Sequence, residues 1–160
     1  MKEDTRTSME GLRAPAFRLA GSDGRTHTLR DYEGKRVILY FYPKDDTPGC
    51  TKEACGFGAA HPQLLRKDVV LLGVSRDGEA SNQAFIKKFR LPFVLLSDPD
   101  ATVHKAYCAW GEKVIYGRIT EGVIRSTVLI SPSGVIAKHW SQVTKAGEHP
   151  AEVLRFLDES

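Results

Sequence analysis

Three cysteines occur in the 160 residues, and two of them, Cys50 and Cys55, stand five apart in FYPKDDTPGCTKEAC, directly after a Thr-Pro-Gly turn. Thiols at that spacing admit four readings: packing, a disulfide, half of a metal site, or a reactive pair. Pro48 and Gly49 make a turn and the residues after them favour a helix, so Cys50 falls in a first helical turn. Unpaired backbone N–H groups and the positive end of the macrodipole stabilise a thiolate there, and a thiolate is a nucleophile without a histidine as base. The alternative is a buried structural cysteine, a common fate of the residue. Thr47, three residues earlier, places a hydroxyl where it can cap the helix or hydrogen-bond beside the sulfur. Glu53, one turn after Cys50, opposes a thiolate unless a cation stands between them. It therefore calls for a positive partner; otherwise it is a solvated carboxylate with Lys52 as its neighbour.

Helix geometry constrains the second cysteine. Five residues advance a helix by about 7.5 Å and turn it by about 140°, whereas a disulfide wants its Cα atoms within about 7 Å. Cys50 and Cys55 cannot bond while the helix is intact. Gly56, Gly58 and Pro62 weaken the helix if it has to unwind, and close packing against a sheet is the other use for the glycines. A zinc module is the rival chemistry, since Cys50, Cys55, His104 and Cys108 have nearly the right ligand inventory. Its knuckle spacing is long, and helix starts are not where knuckles form. The Cys-x-x-Cys of a disulfide reductase is missing. His27, His61, His104, His139 and His149 are scattered, and none is assigned to catalysis.

The elements that must position these groups follow from periodicity and punctuation. With 41% hydrophobic and 27% charged residues the composition is that of one globular domain over residues 1–160, with 1–12 as a loosely ordered N-terminus. The +3 charge is interspersed with acids, in KEDTR, KDD and RKD, which argues against a nucleic-acid partner. No apolar run approaches membrane-spanning length, and few cysteines suit a reducing compartment. The expectation is a soluble cytoplasmic protein.

A hairpin is expected from Phe17–Leu19 and Thr26–Thr28. Strands are expected at Val37–Tyr42, Val69–Ser75 and Phe93–Leu96, and helices at 51–67, Asp77–Phe89 and Pro99–Tyr107. Ser126–Ser131 and Val135–Trp140 flank Pro132-Ser133-Gly134 as a second hairpin, and Pro150–Phe156 is a closing helix. Strands alternating with helices, then a hairpin and a helix, predict an α/β layer structure with a mixed central sheet.

Pro43-Lys44-Asp45-Asp46-Thr47-Pro48-Gly49-Cys50 matches the Pro-x-x-x-Thr-x-x-Cys motif of the peroxiredoxins. With KFRLPFVLLSDPD and AWGEK downstream, the chain from about Ala14 onward closely resembles the bacterioferritin-comigratory (Q-type) subfamily. The resemblance implies a thioredoxin-like fold with an N-terminal β-hairpin and thiol-dependent reduction of hydroperoxides without a cofactor or metal. It makes Cys50 the peroxidatic cysteine, Thr47 the hydroxyl that bonds the peroxide and Pro43 the ring that shields the sulfur. Arg125, in GVIRSTVLIS, matches the family's arginine before a strand and is the cation that Glu53 calls for. Cys55 is implied to be the resolving cysteine of a Cys50–Cys55 redox disulfide, with local unwinding as the condition. Thioredoxin is implied as reductant, with glutaredoxin or glutathione as substitutes, and the chain as a monomer. Cys108 is assigned no role, and Ser131 departs from an aspartate common in the related pattern.

Overall fold

In the computed structural model residues 8–159 are described. A seven-stranded sheet runs β2-β1-β5-β4-β3-β8-β9. Its middle is parallel: β3 (Arg36–Phe41) lies beside β4 (Val69–Ser75), and β4 beside β5 (Val94–Ser97). On one flank, β1 (Arg18–Gly21) pairs antiparallel with both β5 and β2 (Thr26–Thr28). On the other, β8 (Ser126–Ile130) runs antiparallel to β3, and β9 (Ile136–Trp140) antiparallel to β8. The expected mixed sheet and N-terminal hairpin are both present, in a thioredoxin-like architecture. No helix among the described residues is long and apolar enough to cross a membrane.

After Arg36, strand β3 is apolar because both its faces are covered. Val37, Leu39 and Phe41 point into a cluster with Phe17, Val103 and Tyr107, and Ile38 and Tyr40 into one with Phe57, Leu64 and Val153. The second face carries helix α1 (Pro48–Arg66) and helix α4 (His149–Glu159). Helices α2 (Glu79–Phe89) and α3 (Thr102–Ala106) follow β4 and β5.

Several expectations need correction. Residues 1–7 of the N-terminal segment lie outside the described residues, but from Met9 the chain is held: Met9 is buried, and residues 11 and 12 exchange backbone hydrogen bonds with Ile136 at 2.9 Å. Helix α1 begins at Pro48 and runs through Pro62 to Arg66, so that proline does not interrupt it. Helix α3 is shorter than the expected Pro99–Tyr107 because Ala101 is left-handed (φ 63°) and the Asp98 carboxylate accepts the His104 backbone N–H at 2.8 Å. A two-stranded sheet not foreseen at all, β6 (Trp110–Ile115) with β7 (Arg118–Val123), separates α3 from β8.

Candidate active site

Strand pairing brings the reactive groups together. Because β8 runs antiparallel to β3 with Phe41 opposite Ser126, the residue just before β8 lands beside the residue just after β3. That residue is Arg125, and the chain leaving β3 is the loop into α1. The site thus sits at the carboxyl end of a central parallel strand, where open α/β sheets place their ligands.

Thr47 is the N-cap residue of α1, with extended φ and ψ, and its carbonyl accepts the Thr51 N–H at 2.8 Å. Its hydroxyl does not cap the helix. It donates instead to the Lys44 carbonyl at 2.8 Å, so its proton is committed and its lone pairs remain open to a donor. The first-turn N–H groups have no side-chain cap and stay available to an anion. Cys50 is buried, with 1% of its surface exposed. Arg125 Nη2 donates to its Sγ at 3.3 Å, and Nη1 donates to Glu53 Oε1 at 2.6 Å. Cys50 and Glu53, three residues apart on one helix face, are therefore spanned by a single guanidinium. The cation that Glu53 called for is in place.

Burial pushes the Glu53 carboxyl up to about 7, although Arg125 pulls it down, and its Oε2 is buried without a hydrogen-bond partner. Tyr40, whose hydroxyl is likewise buried and unpartnered, is held well above the usual phenol range by burial and then by Glu53 and Cys50. Arg125 stays charged: burial opposes its charge, but Glu53 and Cys50 hold it above its ordinary value.

Arg125 and Pro43 line a cavity of about 670 Å³ that also receives Cys108, Lys113, Val114 and Ile124. Burial, and after it the Arg125 guanidinium, hold Lys113 below the ordinary lysine range, while Cys50 pulls it back up. Lys113 was not singled out from the sequence, where it is one lysine among many; only the β6–β7 hairpin carries it to the site. Gly49 was also missed as a site residue. A Cβ there would stand 3.2 Å from Arg125 Nη2, so the guanidinium reaches the sulfur over a position with no side chain.

Cys55 lies on the exposed side of α1, away from buried Cys50, and all three cysteines are free. The glycines next to it are packing positions. A Cβ at Gly56 would meet Pro150 Cγ at 2.8 Å, and one at Gly58 would meet Pro92 Cδ at 3.3 Å. The zinc reading is overturned. Cys50 faces Arg125, Cys55 faces outward, and buried His104 puts Nδ1 on Asp98 Oδ2 at 2.7 Å. Among the described residues no three His, Cys, Asp or Glu side chains gather as a metal would require.

A profile of the AhpC/TSA family matches residues 11–139. The bcp protein of Coxiella burnetii is 49% identical over 147 residues, covering 92% of this chain and 97% of that protein. Peroxiredoxin Bcp of Bacillus subtilis is 43% identical over 147 residues, covering 92% and 93%. Among solved structures, Xanthomonas campestris peroxiredoxin Q superposes with a TM-score of 0.84 at 39% identity, over 89% of this chain and 90% of that one. A thiol at a helix start on a thioredoxin-like sheet, with these likenesses over nearly the whole chain, makes the conclusion direct: the chain belongs to the AhpC/TSA family, among the Bcp or Q-type peroxiredoxins, and is a thiol peroxidase.

Proposed function

We propose that Cys50 is the peroxidatic cysteine of a two-cysteine cycle in which Cys55 resolves. The observation that carries this reading is the Arg125 fork, with Nη2 at 3.3 Å from Cys50 Sγ and Nη1 on Glu53. The Cys50 thiolate attacks the terminal oxygen of a hydroperoxide. An S–O bond forms, the O–O bond breaks, and the alkoxide leaves and takes up a proton to become alcohol, or water from hydrogen peroxide. Arg125 and the first-turn N–H groups stabilise the negative charge as it moves onto the leaving oxygen. Thr47, its own proton held by Lys44, accepts the hydroperoxide proton in a hydrogen bond and so orients the O–O axis. Pro43 walls the cavity beside Arg125 and limits water around the sulfur.

Cys50 is left as a sulfenic acid. After the first turns of α1 unwind, the Cys55 sulfur attacks it, water leaves, and the Cys50–Cys55 disulfide forms. Thioredoxin, the dithiol that family likeness implies, or glutaredoxin or two molecules of glutathione in its place, reduces the disulfide, is itself oxidised to a disulfide, and closes the cycle. The setting is the cytoplasm and the unit a monomer.

The test is peroxide consumption with a thioredoxin system for wild type, Cys50→Ser and Cys55→Ser, with mass spectrometry of the oxidised protein. Loss of turnover in Cys50→Ser is expected, together with a single oxidation in Cys55→Ser that halts at sulfenic or higher oxidised Cys50. Full turnover in Cys55→Ser would move resolution to Cys108 or an external thiol, and turnover in Cys50→Ser would overturn the assignment.

A further inference from the structure

The loop that delivers Thr47 and Cys50 is fastened to the body of the protein by a residue the cycle above does not use. Asp45 is 7% exposed in a loop whose neighbours Lys44 and Asp46 are exposed. Its Oδ1 accepts the Tyr42 hydroxyl at 2.6 Å and its Oδ2 accepts the Ser81 hydroxyl at 2.8 Å. With its amide nitrogen turned toward the carboxylate, Asn82 donates to Oδ2 at 2.7 Å and to Ser75 Oγ at 3.3 Å. The Asp45 backbone N–H donates to Asp77 Oδ2 at 2.8 Å. Ser81 and Asn82 both lie in α2, Ser75 ends β4, and Asp77 follows it. A second, solvent-exposed tether, Lys88 to Asp46 at 2.8 Å, ties the same loop to the same helix but contributes little.

The partners of the Asp45 side chain are all neutral donors. Burial pushes the carboxyl up to about 6, against the pull of Tyr42 and Ser81 and with Asp77 adding to the rise. At neutral pH it is still ionised and accepts from all three donors, so these are charge-assisted bonds. Such a network is costly to leave half made.

Downstream of Cys55, α1 is locked by Gly56 against Pro150. Unwinding that brings Cys50 to Cys55 must therefore proceed from the other end, through the Pro43–Gly49 loop, and the buried attachment of that loop is Asp45. We propose, resting on the two-cysteine reading, that Asp45 is a positioning residue whose clamp to Tyr42, Ser81 and Asn82 holds the loop folded and must release before Cys55 reaches the sulfenic acid. The clamp then divides the Cys50 sulfenic acid between two fates. A tight clamp prolongs the folded state, and a second hydroperoxide oxidises the sulfenic acid to sulfinic acid with release of another alcohol. A loose clamp favours the disulfide.

Ser81→Ala tests this at an exposed position where alanine suits the helix, with Asp45→Asn and the double variant beside it. Stopped-flow oxidation separates the peroxide step from the disulfide step, and mass spectrometry of quenched samples counts sulfinic acid at fixed peroxide. Ser81→Ala is expected to leave the peroxide step within about twofold of wild type. The disulfide step should be about tenfold faster, the loss of one charge-assisted bond from the folded loop, and the sulfinic acid yield correspondingly lower. In the double variant, Ser81→Ala should have little further effect, since its partner charge is gone. An unchanged partition in Ser81→Ala, or equal losses in both steps with a lowered unfolding midpoint, would overturn the clamp. Wild type run alongside keeps the two readings apart. If it forms no Cys50–Cys55 disulfide, the two-cysteine cycle itself falls; if it does and Ser81→Ala partitions identically, the clamp alone falls.

Discussion

Arg125 is asked to do two things at once, and only the planar fork of a guanidinium does both: Nη1 binds Glu53 at 2.6 Å while Nη2 reaches the Cys50 sulfur at 3.3 Å. Glu53 is the means by which the fork is aimed, and its own proton balance limits it. Burial raises its carboxyl to about 7 with Arg125 pulling down. Because the folded value lies above the ordinary 4.5, the fold favours the protonated form, and the carboxylate that holds Arg125 by charge is lost as the pH falls through about 7. The rate of Cys50 oxidation by hydroperoxide should therefore carry an acid limb centred near 7 that belongs to Glu53. Glu53→Gln keeps an acceptor for Nη1 and removes the titration. It is expected to oxidise about tenfold more slowly than wild type above that pH, the difference between a charge-assisted and a neutral hydrogen bond, and to lose the limb. A rate profile taken on both sides of 7 in both proteins checks it, and a limb that survives unchanged in Glu53→Gln would assign it to another group.

At the scale of elements, α1 is two devices in one helix. Its first turn presents Cys50 and uncapped N–H groups, whereas the stretch from Gly56 onward is packed scaffold. The first part was legible in the sequence because its determinants are local: Thr-Pro-Gly starts a helix, Cys50 follows in the first turn, and Glu53 is one turn on. The second part was not. Gly56 could be read as flexibility or as packing, and only the arrival of Pro150, far along the chain, decides for packing. Arg125 came from the motif likeness, since the pairing of Phe41 with Ser126 that delivers it is a contact no spacing encodes. The β6–β7 hairpin escaped because its turn is Tyr116-Gly117, with φ of 52° and 77°, in place of the usual Asn-Gly or Asp-Gly signal. Val114, Ile115 and Ile119 beside that turn are exposed apolar residues with no buried face to announce them. Gly56→Ala weighs the packing argument directly. Helix propensity alone would add about 1 kcal/mol of stability, but a Cβ 2.8 Å from a proline ring forces overpacking that costs about 1–3 kcal/mol. The expected net is a loss of about 1 kcal/mol, seen as a lower urea midpoint at unchanged slope. A gain would return Gly56 to the role of a hinge.

Across the whole molecule, His149 is where the layers meet. Its Nδ1–H donates to Glu152 at 2.9 Å and its Nε2 accepts the Thr127 hydroxyl at 2.8 Å, which fastens the start of α4 to β8. Its ring stands edge-on to Phe57 of α1 and to Trp140 of β9, with centroids 5.9 and 5.5 Å apart. This side chain holds α4 beneath the helix that carries Cys50. Burial favours the neutral imidazole, in which Nε2 accepts from Thr127; a second proton, on Nε2, would reverse that bond and place a charge among Phe57 and Trp140. Burial holds His149 below its ordinary 6.5, with Glu152 opposing. A folded value below the unfolded one means that the unfolded chain takes up the proton first, so the contribution of His149 is complete above 6.5 and declines as the pH falls below it. The buried carboxyls Glu53 and Asp45, raised to about 7 and about 6, act with the opposite sign over windows that overlap that of the histidine, so wild-type stability alone does not isolate it. A difference does. His149→Gln, which cannot titrate, should be less stable than wild type above 6.5 by about 1–3 kcal/mol, the cost of imperfectly replaced buried hydrogen bonds. That deficit should narrow steadily as the pH is lowered, because only wild type pays the price of keeping an imidazole neutral. Urea unfolding of both proteins over the same pH series measures it, and a deficit that stays constant through the acid range would show that His149 acts by packing alone.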